Sequence, residues 1–195
     1  MHARSGLLNL PNILTLTRVA AVPVLVVLLL FPGREAGFWA ALVFSLAAIT
    51  DWLDGYLARR WDIVTVLGKF LDPLADKLIV MAALIMLIPM GRVPAWAVFL
   101  ILAREIVVTG LRSIASSEGI VIAASDLGKN KTIFQMVAII GLLLHYDYYW
   151  LFGIKWELFH VTMQNVGTFF FYIALALTLW SGGDYLAKFF KVIAR

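Results

Sequence analysis

The stretch from Asp51 to Asp76 reads DWLDGYLARRWDIVTVLGKFLDPLAD and sets four aspartates at the junction of two long apolar runs. Asp51 and Asp54 are spaced i, i+3, and Asp72 and Asp76 are spaced i, i+4, so each pair falls on one face of a helix. Residues 36–50 before the stretch and 78–91 after it carry no charge. A short connection between two such helices favours an antiparallel hairpin, which brings both acidic faces to the same end.

Working outward, the composition says what surrounds that hairpin. Of 195 residues, 63% are hydrophobic and only 14% charged, where a soluble domain carries roughly 25% charged residues. The mean hydropathy is +0.93. So few charges cannot cover a water-facing surface, which excludes an ordinary soluble enzyme. No linker, low-complexity tract or repeat divides the chain, so residues 1–195 are expected to form a single membrane domain. Cysteine is absent, which removes disulfide frameworks and thiolate metal sites. The net charge of +4 suits anionic lipid headgroups. The basic residues are scattered rather than massed, so nucleic acid is not an expected partner.

Hydropathy predicts an all-α, polytopic membrane protein with six transmembrane helices over 10–32, 36–60, 70–90, 94–117, 129–149 and 158–182. Each is close to the ~20 residues that cross ~30 Å of hydrocarbon. The first apolar run ends at Phe31, Pro32, Gly33, Arg34 and Glu35 without a small-residue cleavage pattern, so it reads as a retained span rather than a signal peptide. Arg4, Arg59, Arg60, Lys69, Lys129, Lys131, Lys188, Lys191 and Arg195 fall on one side, against Arg34, Arg92 and Lys155 on the other. The positive-inside rule then puts both termini, and the acidic cluster, at the cytoplasmic face of a cell's inner membrane. Trp39, Trp61, Trp96, Trp150 and Trp156 lie near span ends, as an interfacial belt requires.

Four carboxylates within a few ångströms of one another need a strong counter-charge. A hard divalent cation with oxygen ligands supplies it, and Mg²⁺ or Mn²⁺ ions, as a pair, suit a site that holds phosphoryl oxygens. No cysteine and no nearby histidine argues against zinc. His2, His145 and His160 lie away from the cluster and read as interfacial side chains. Gly55 and Ala58 share the Asp51/Asp54 face and Gly68 lies one turn before Asp72, leaving room for close helix approach or a flat ligand group. Arg59 adds a planar fork suited to phosphate. A single intramembrane aspartate is often a structural ion pair; four at these spacings point to a functional cavity.

A second polar group lies further along. Arg104 and Arg112 are eight residues apart, a little over two turns, and share a face. Span five opens with Gly128, Lys129, Asn130, Lys131 and Thr132, with Gln135 one turn further in. Lys129 and Lys131 can serve as plain positive-inside anchors, but Arg104 lies deep in its span. Neighbouring helix residues diverge, so Glu105 is a poor partner for Arg104, and an acid on another helix is expected to pair with it. Together these cations predict a phosphorylated acceptor rather than a neutral alcohol.

The full signature DWLDGYLAR, eight residues, then Gly68, Asp72 and Asp76 at four-residue steps, resembles that of the CDP-alcohol phosphotransferase family, with every position filled. The resemblance implies a six-helix membrane fold, usually homodimeric, which transfers a phosphatidyl group from a CDP-linked lipid to an alcohol with loss of CMP. It implies Asp51, Asp54, Asp72 and Asp76 as metal ligands, Asp76 doubling as catalytic base. Gly55 and Ala58 would border the cytidine, and Arg59 the diphosphate. Further marks are Leu10, Pro11, Asn12, Thr15 and Arg18; Ala103, Arg104, Glu105 and Arg112; and Gly128, Lys129, Lys131, Thr132, Gln135 and Met136. They resemble the branch whose donor is CDP-diacylglycerol, whose acceptor is sn-glycerol 3-phosphate and whose product is phosphatidylglycerophosphate. That likeness implies Asn12, Thr15 and Arg18, with Gly68, on the CDP-lipid side, and Arg104, Arg112, Lys129 and Lys131 on the acceptor phosphate. Thr15 could also be a helix residue bonding its own backbone. Other acceptors in the family, such as inositol phosphate, serine or phosphatidylglycerol, stay open.

Two rivals fit less well. A membrane prenyltransferase also uses aspartate pairs with Mg²⁺, but sets them in separate helical repeats, not one hairpin. An ion or proton path in a transporter predicts inverted repeats or broken helices near the midplane, and the sequence has neither.

Overall fold

The computed structural model describes residues 10–31, 33–61, 66–118, 126–145 and 162–193, with side chains for 13–31, 33–51, 74–118, 130–145 and 162–192. Six helices account for nearly all of them: α1 Leu10–Leu30, α2 Arg34–Trp61, α3 Val66–Leu87, α4 Ala95–Ser117, α5 Asp126–Leu143 and α6 Met163–Ile193. The all-helical expectation therefore holds, and no strand occurs among the described residues. The first four helices follow the predicted spans to within about four residues.

The last two helices differ for local reasons. α5 stops at Leu143 rather than 149, its last turn closed by Leu144 N–H to Ile140 O at 2.9 Å. α6 starts at Met163, where Thr162 caps it, the Asn165 N–H donating to Thr162 Oγ1 at 3.2 Å; the predicted stretches 146–149 and 158–161 lie outside the described residues. It then runs past 182 to Ile193, because the buried Tyr185 and Phe189 continue its packed face beyond the charged Asp184 and Lys188. Hydropathy stops at charge; packing does not.

Two described segments are long and apolar enough to cross a membrane, Ile13–Leu30 and Met163–Val192. α4 carries Arg104, Glu105 and Arg112, which keep it below that standard despite its 23 residues. Large apolar side chains nevertheless face outward: Trp180 is 71% exposed, Phe99 68%, Ile106 63% and Phe169 63%. Exposure of so many large apolar side chains is unusual on a water-soluble monomer and suits a lipid surrounding. The chain is a membrane-associated protein.

The chain divides into two compact units, Met1–Met86 and Leu87–Arg195. In the first, α1 packs on α2. α1 buries Thr15, Arg18, Leu25 and Leu29, and α2 buries Ala40, Ala41, Phe44 and Ala47. Lipid removes most of the hydrophobic drive between helices, so close contact rests on small residues such as these alanines.

In the second unit α6 is the central column. Gly167, Phe171, Ala174, Thr178, Ser181, Tyr185 and Phe189 are buried at steps of three and four, one stripe of a helix. α5 runs antiparallel to it: Gly141 meets Gly167, and Phe134 stacks on Phe170 with centroids 5.8 Å apart. The backbones almost touch, since a Cβ on Gly167 would lie 2.7 Å from Leu142 N. α4 runs parallel to α6, Arg104 meeting Ser181 and Arg112 meeting Tyr185. At the opposite end of this unit Arg92 Nη1 donates to Leu142 O at 2.8 Å, capping the α5 C-terminus, while Gln164 Nε2 donates to Arg92 O at 3.4 Å. Gly91, at φ +68°, makes the turn before α4: its N–H bonds Ile88 O at 2.9 Å and the Arg92 N–H bonds Leu87 O at 3.2 Å. The three helices thus alternate in direction, with Lys131, Arg112 and Lys188 toward one end and Arg92 at the other.

Candidate active site

In the first unit the polar centre starts on α1. Arg18 is 2% exposed, an unusual place for a guanidinium. Its Nη1 lies 2.7 Å from Oδ1 of Asp51 on α2, whose side chain is 35% exposed. A charge so far removed from solvent needs a counter-charge, and Asp51 supplies one. Arg18 therefore meets an aspartate of the signature. Thr15, one turn earlier, is also buried, so both face inward from α1. The neighbouring Thr17, not a site residue, bonds its own helix, donating to Ile13 O at 2.7 Å.

Asp76 is half-buried on α3, next to the fully buried Ala75. Asp54, Gly55, Ala58 and Arg59 belong to α2, Gly68 and Asp72 to α3, and Asn12 to α1, but their side chains lie outside the described residues. Of the four expected metal ligands, the side chains of Asp51 and Asp76 are thus the described ones. Among the described residues, no group of three or more His, Cys, Asp or Glu side chains converges. The acids on hand are oxygen donors, the chemistry that Mg²⁺ and Mn²⁺ prefer.

In the second unit the polar centre spans α4, α5 and α6. The Oε1 of Glu105 accepts from Arg104 Nη1 at 3.0 Å and from Lys131 Nζ as well. Lys131 is a buried residue, 6% exposed. Arg104 Nη2 donates to Ser181 Oγ at 3.0 Å, and Ser181 in turn donates to Thr178 O at 3.2 Å. Gly182 makes room for the arginine, since a Cβ there would lie 2.8 Å from Arg104 Cγ. Two turns on, the Arg112 guanidinium sits over the Tyr185 ring, 5.9 Å from its centroid. Around the cluster, Arg104 Nε, Gln135 Nε2, Thr178 Oγ1 and Tyr185 OH are buried with no hydrogen-bond partner among the described residues. All four can donate.

One expectation is overturned. Arg104 does pair with the adjacent Glu105, and no acid on another helix is its partner among the described residues. Adjacent side chains leave the helix in divergent directions, but arginine's long stem lets the head turn back where Gly182 leaves space and Ser181 holds the far nitrogen. The predicted shared face of Arg104 and Arg112 is observed, both meeting α6. Lys129 lies on α5 with its side chain outside the described residues. Thr178, Ser181, Gly182 and Tyr185 are absent from the sequence-based site. Their signal was the recurrence of small or hydroxyl-bearing residues every three or four positions in an otherwise apolar run.

The profile of the CDP-alcohol phosphatidyltransferase family matches residues 8–180, across both units. A protein of Bacillus subtilis (strain 168) called CDP-diacylglycerol–glycerol-3-phosphate 3-phosphatidyltransferase is 42% identical, aligned over 92% of this chain and 94% of its own length. Proteins of the same name from Rickettsia bellii (strain RML369-C) and Escherichia coli (strain K12) are 40% and 39% identical, over 91% and 92% of this chain and 93% of each relative.

Proposed function

The chain belongs to the CDP-alcohol phosphatidyltransferase family, and on that premise we propose that it moves the phosphatidyl group of CDP-diacylglycerol onto sn-glycerol 3-phosphate. The products are phosphatidylglycerophosphate and CMP. The observation that carries the choice of acceptor is the cation pair of Arg104 and Lys131, buried around one carboxylate with spare donors about it. Such a donor-rich, net positive centre suits a phosphate monoester and has little to offer a neutral alcohol. The shared name of relatives at about 40% identity supports the same acceptor.

The reaction needs positioning and charge neutralisation more than covalent chemistry, because the donor diphosphate already contains its leaving group. The acceptor hydroxyl oxygen attacks the phosphorus that bears the diacylglycerol, the bond from that phosphorus to CMP breaks, and CMP leaves with the bonding electrons. Asp76 takes the hydroxyl proton as general base. Asp51, Asp54, Asp72 and Asp76 would hold Mg²⁺ or Mn²⁺, as a pair of ions. Bound there, the metal supplies neutralisation of the diphosphate and of the charge that develops on departing CMP. Arg18 holds the Asp51 carboxylate from the α1 side. Asn12, Thr15, Gly55, Ala58, Arg59 and Gly68 border the CDP-lipid, and Arg104, Arg112, Lys129 and Lys131 face the acceptor phosphate.

The six helices would cross the inner membrane as one domain over 1–195, with both termini and the reaction on the cytoplasmic side. The bias of basic residues toward the predicted cytoplasmic ends supports this topology, and the alternation of α4, α5 and α6 agrees with it. A homodimer is the usual form in the family. The deciding experiment is CMP release from CDP-diacylglycerol by the purified protein with a panel of acceptors. sn-Glycerol 3-phosphate should exceed inositol phosphate, serine and phosphatidylglycerol by at least tenfold in kcat/KM; equal rates would discard the acceptor assignment.

A further inference from the structure

We propose that Glu105 is a positioning residue of the acceptor site, a carboxylate that holds the Arg104 and Lys131 head groups together at one oxygen so that they meet the acceptor phosphate as a fixed pair. The inference rests on the reading of Arg104 and Lys131 as phosphate-binding cations and goes beyond it by assigning the acid between them a role.

Three observations converge. Arg104 on α4 and Lys131 on α5 both donate to Glu105 Oε1, so two helices contribute cations to one anchor. Their side chains are mostly withdrawn from solvent, at 13% and 8% exposure, against 18% for Glu105. Bringing two like charges that close without an intervening anion would be strongly unfavourable. The arginine is also fixed from behind: Ser181 accepts from its other terminal nitrogen, and Gly182 leaves only enough room for its stem. A head group with that many constraints loses little freedom when a ligand arrives, the advantage of a preorganised site.

The charge balance fits the ligand. Glu105 offsets one of the two cations it holds, so these three side chains together stay positive toward an anion. A phosphate monoester carries about −1.5 to −2 at pH 7. Without Glu105 the two cations would repel each other apart. A carboxylate that merely filled the phosphate's place would predict tighter acceptor binding on its removal; a positioning carboxylate predicts weaker binding. The hydrogen bond of Ser181 and the fit at Gly182 favour the second, since they hold Arg104 from the helix opposite the carboxylate.

The test is steady-state kinetics of the full-length protein in detergent, varying sn-glycerol 3-phosphate and CDP-diacylglycerol in turn, with Tm measured alongside. Glu105→Gln should raise the KM for sn-glycerol 3-phosphate about tenfold or more and leave that for CDP-diacylglycerol within twofold. Glu105→Asp, which keeps the charge on a shorter stem, should recover part of the loss. An acceptor KM that is unchanged or lowered in Glu105→Gln, or both KM values rising together, would overturn the proposal. If Glu105→Gln does not fold, Ser181→Ala decides in its place: a three- to tenfold rise in acceptor KM at unchanged Tm is the expected result, and no rise overturns it. Arg104→Gln and Lys131→Gln separate the two levels. If these raise the acceptor KM while Glu105→Gln does not, the positioning role alone fails; if neither raises it, the acceptor-site reading fails first.

Discussion

The two polar centres are built with opposite signs on a common plan. In the first unit a buried arginine on α1 meets one signature aspartate on α2, Arg18 on Asp51. In the second a group of cations has a carboxylate between two members, Glu105 under Arg104 and Lys131. In each case a residue of opposite sign makes a buried charge tolerable in an apolar setting. The acidic centre is proposed to hold metal and donor, the basic one the acceptor. What differs is exposure. The aspartate end of the first pair is one-third exposed, whereas all three members of the second are largely enclosed.

The largest expected effect falls on the acidic side. Asp76→Asn removes the proposed base while preserving shape, and kcat should drop by about 10²- to 10⁴-fold, the usual contribution of a positioned general base. CMP release under saturating substrates measures it, and retained turnover would strip Asp76 of that role. The comparison also predicts unequal costs at the two ends of the Arg18–Asp51 pair. Asp51→Asn takes one counter-charge from a guanidinium that is 2% exposed and should cost about 2 kcal/mol, below the full cost of stranding a buried charge. Arg18→Met keeps the length of the side chain and leaves an aspartate that water can reach, so it should cost about 1 kcal/mol. Thermal melts of the two variants in one detergent rank them; an inverted order would mean that Asp51 is not the main counter-charge of Arg18.

How much of this was legible in the sequence follows the same division. On the acidic side local spacing is enough to assign Asp51 to α2 and Asp76 to α3, because a helical period links residues that are close along the chain. The basic centre was readable only in part. Arg104, Arg112 and Lys131 stand out as charges in apolar runs, but Ser181 is 77 residues from Arg104, and no helical period links positions on separate helices. The pairing of Arg104 with Glu105 was misjudged for a related reason. Adjacent residues diverge on an isolated helix, and it is the glycine at 182, on another helix, that lets the arginine turn back. The helices themselves were well placed wherever a turn residue or charge ended an apolar run. The last was misplaced where a continuing packed face, Tyr185 and Phe189, set the end instead.

A smaller effect should come from the frame that holds the basic centre. Gly141 and Gly167 let α5 and α6 touch, and a side chain on Gly167 has no free direction: its Cβ would lie 2.7 to 2.9 Å from the Leu142 backbone nitrogen, the Leu142 side chain and the Gly141 carbonyl carbon. Gly167→Ala must push the helices apart, at about 1–3 kcal/mol for overpacking. Because Lys131 rides on α5 and Ser181 on α6, the acceptor KM should rise more than the donor KM. Equal changes in both would mean that the crossing sets overall stability without setting the cation geometry.

The smallest effect tests whether the open end of the basic centre contributes at all. Arg112 is exposed and held by the Tyr185 ring rather than by a carboxylate, so it can swing to an arriving anion at little cost. Solvent also screens it, unlike Arg104. Arg112→Ala should therefore raise the acceptor KM about three- to tenfold, a single exposed charge-assisted contact, with kcat nearly unchanged. Arg112→Lys should recover most of the loss if charge alone matters, and little if the planar fork is required. Raising the salt concentration should erode the Arg112 contribution and leave that of Arg104 standing. An acceptor KM in Arg112→Ala equal to that of the unaltered protein would confine the acceptor site to the enclosed triad, where the stronger donors already are.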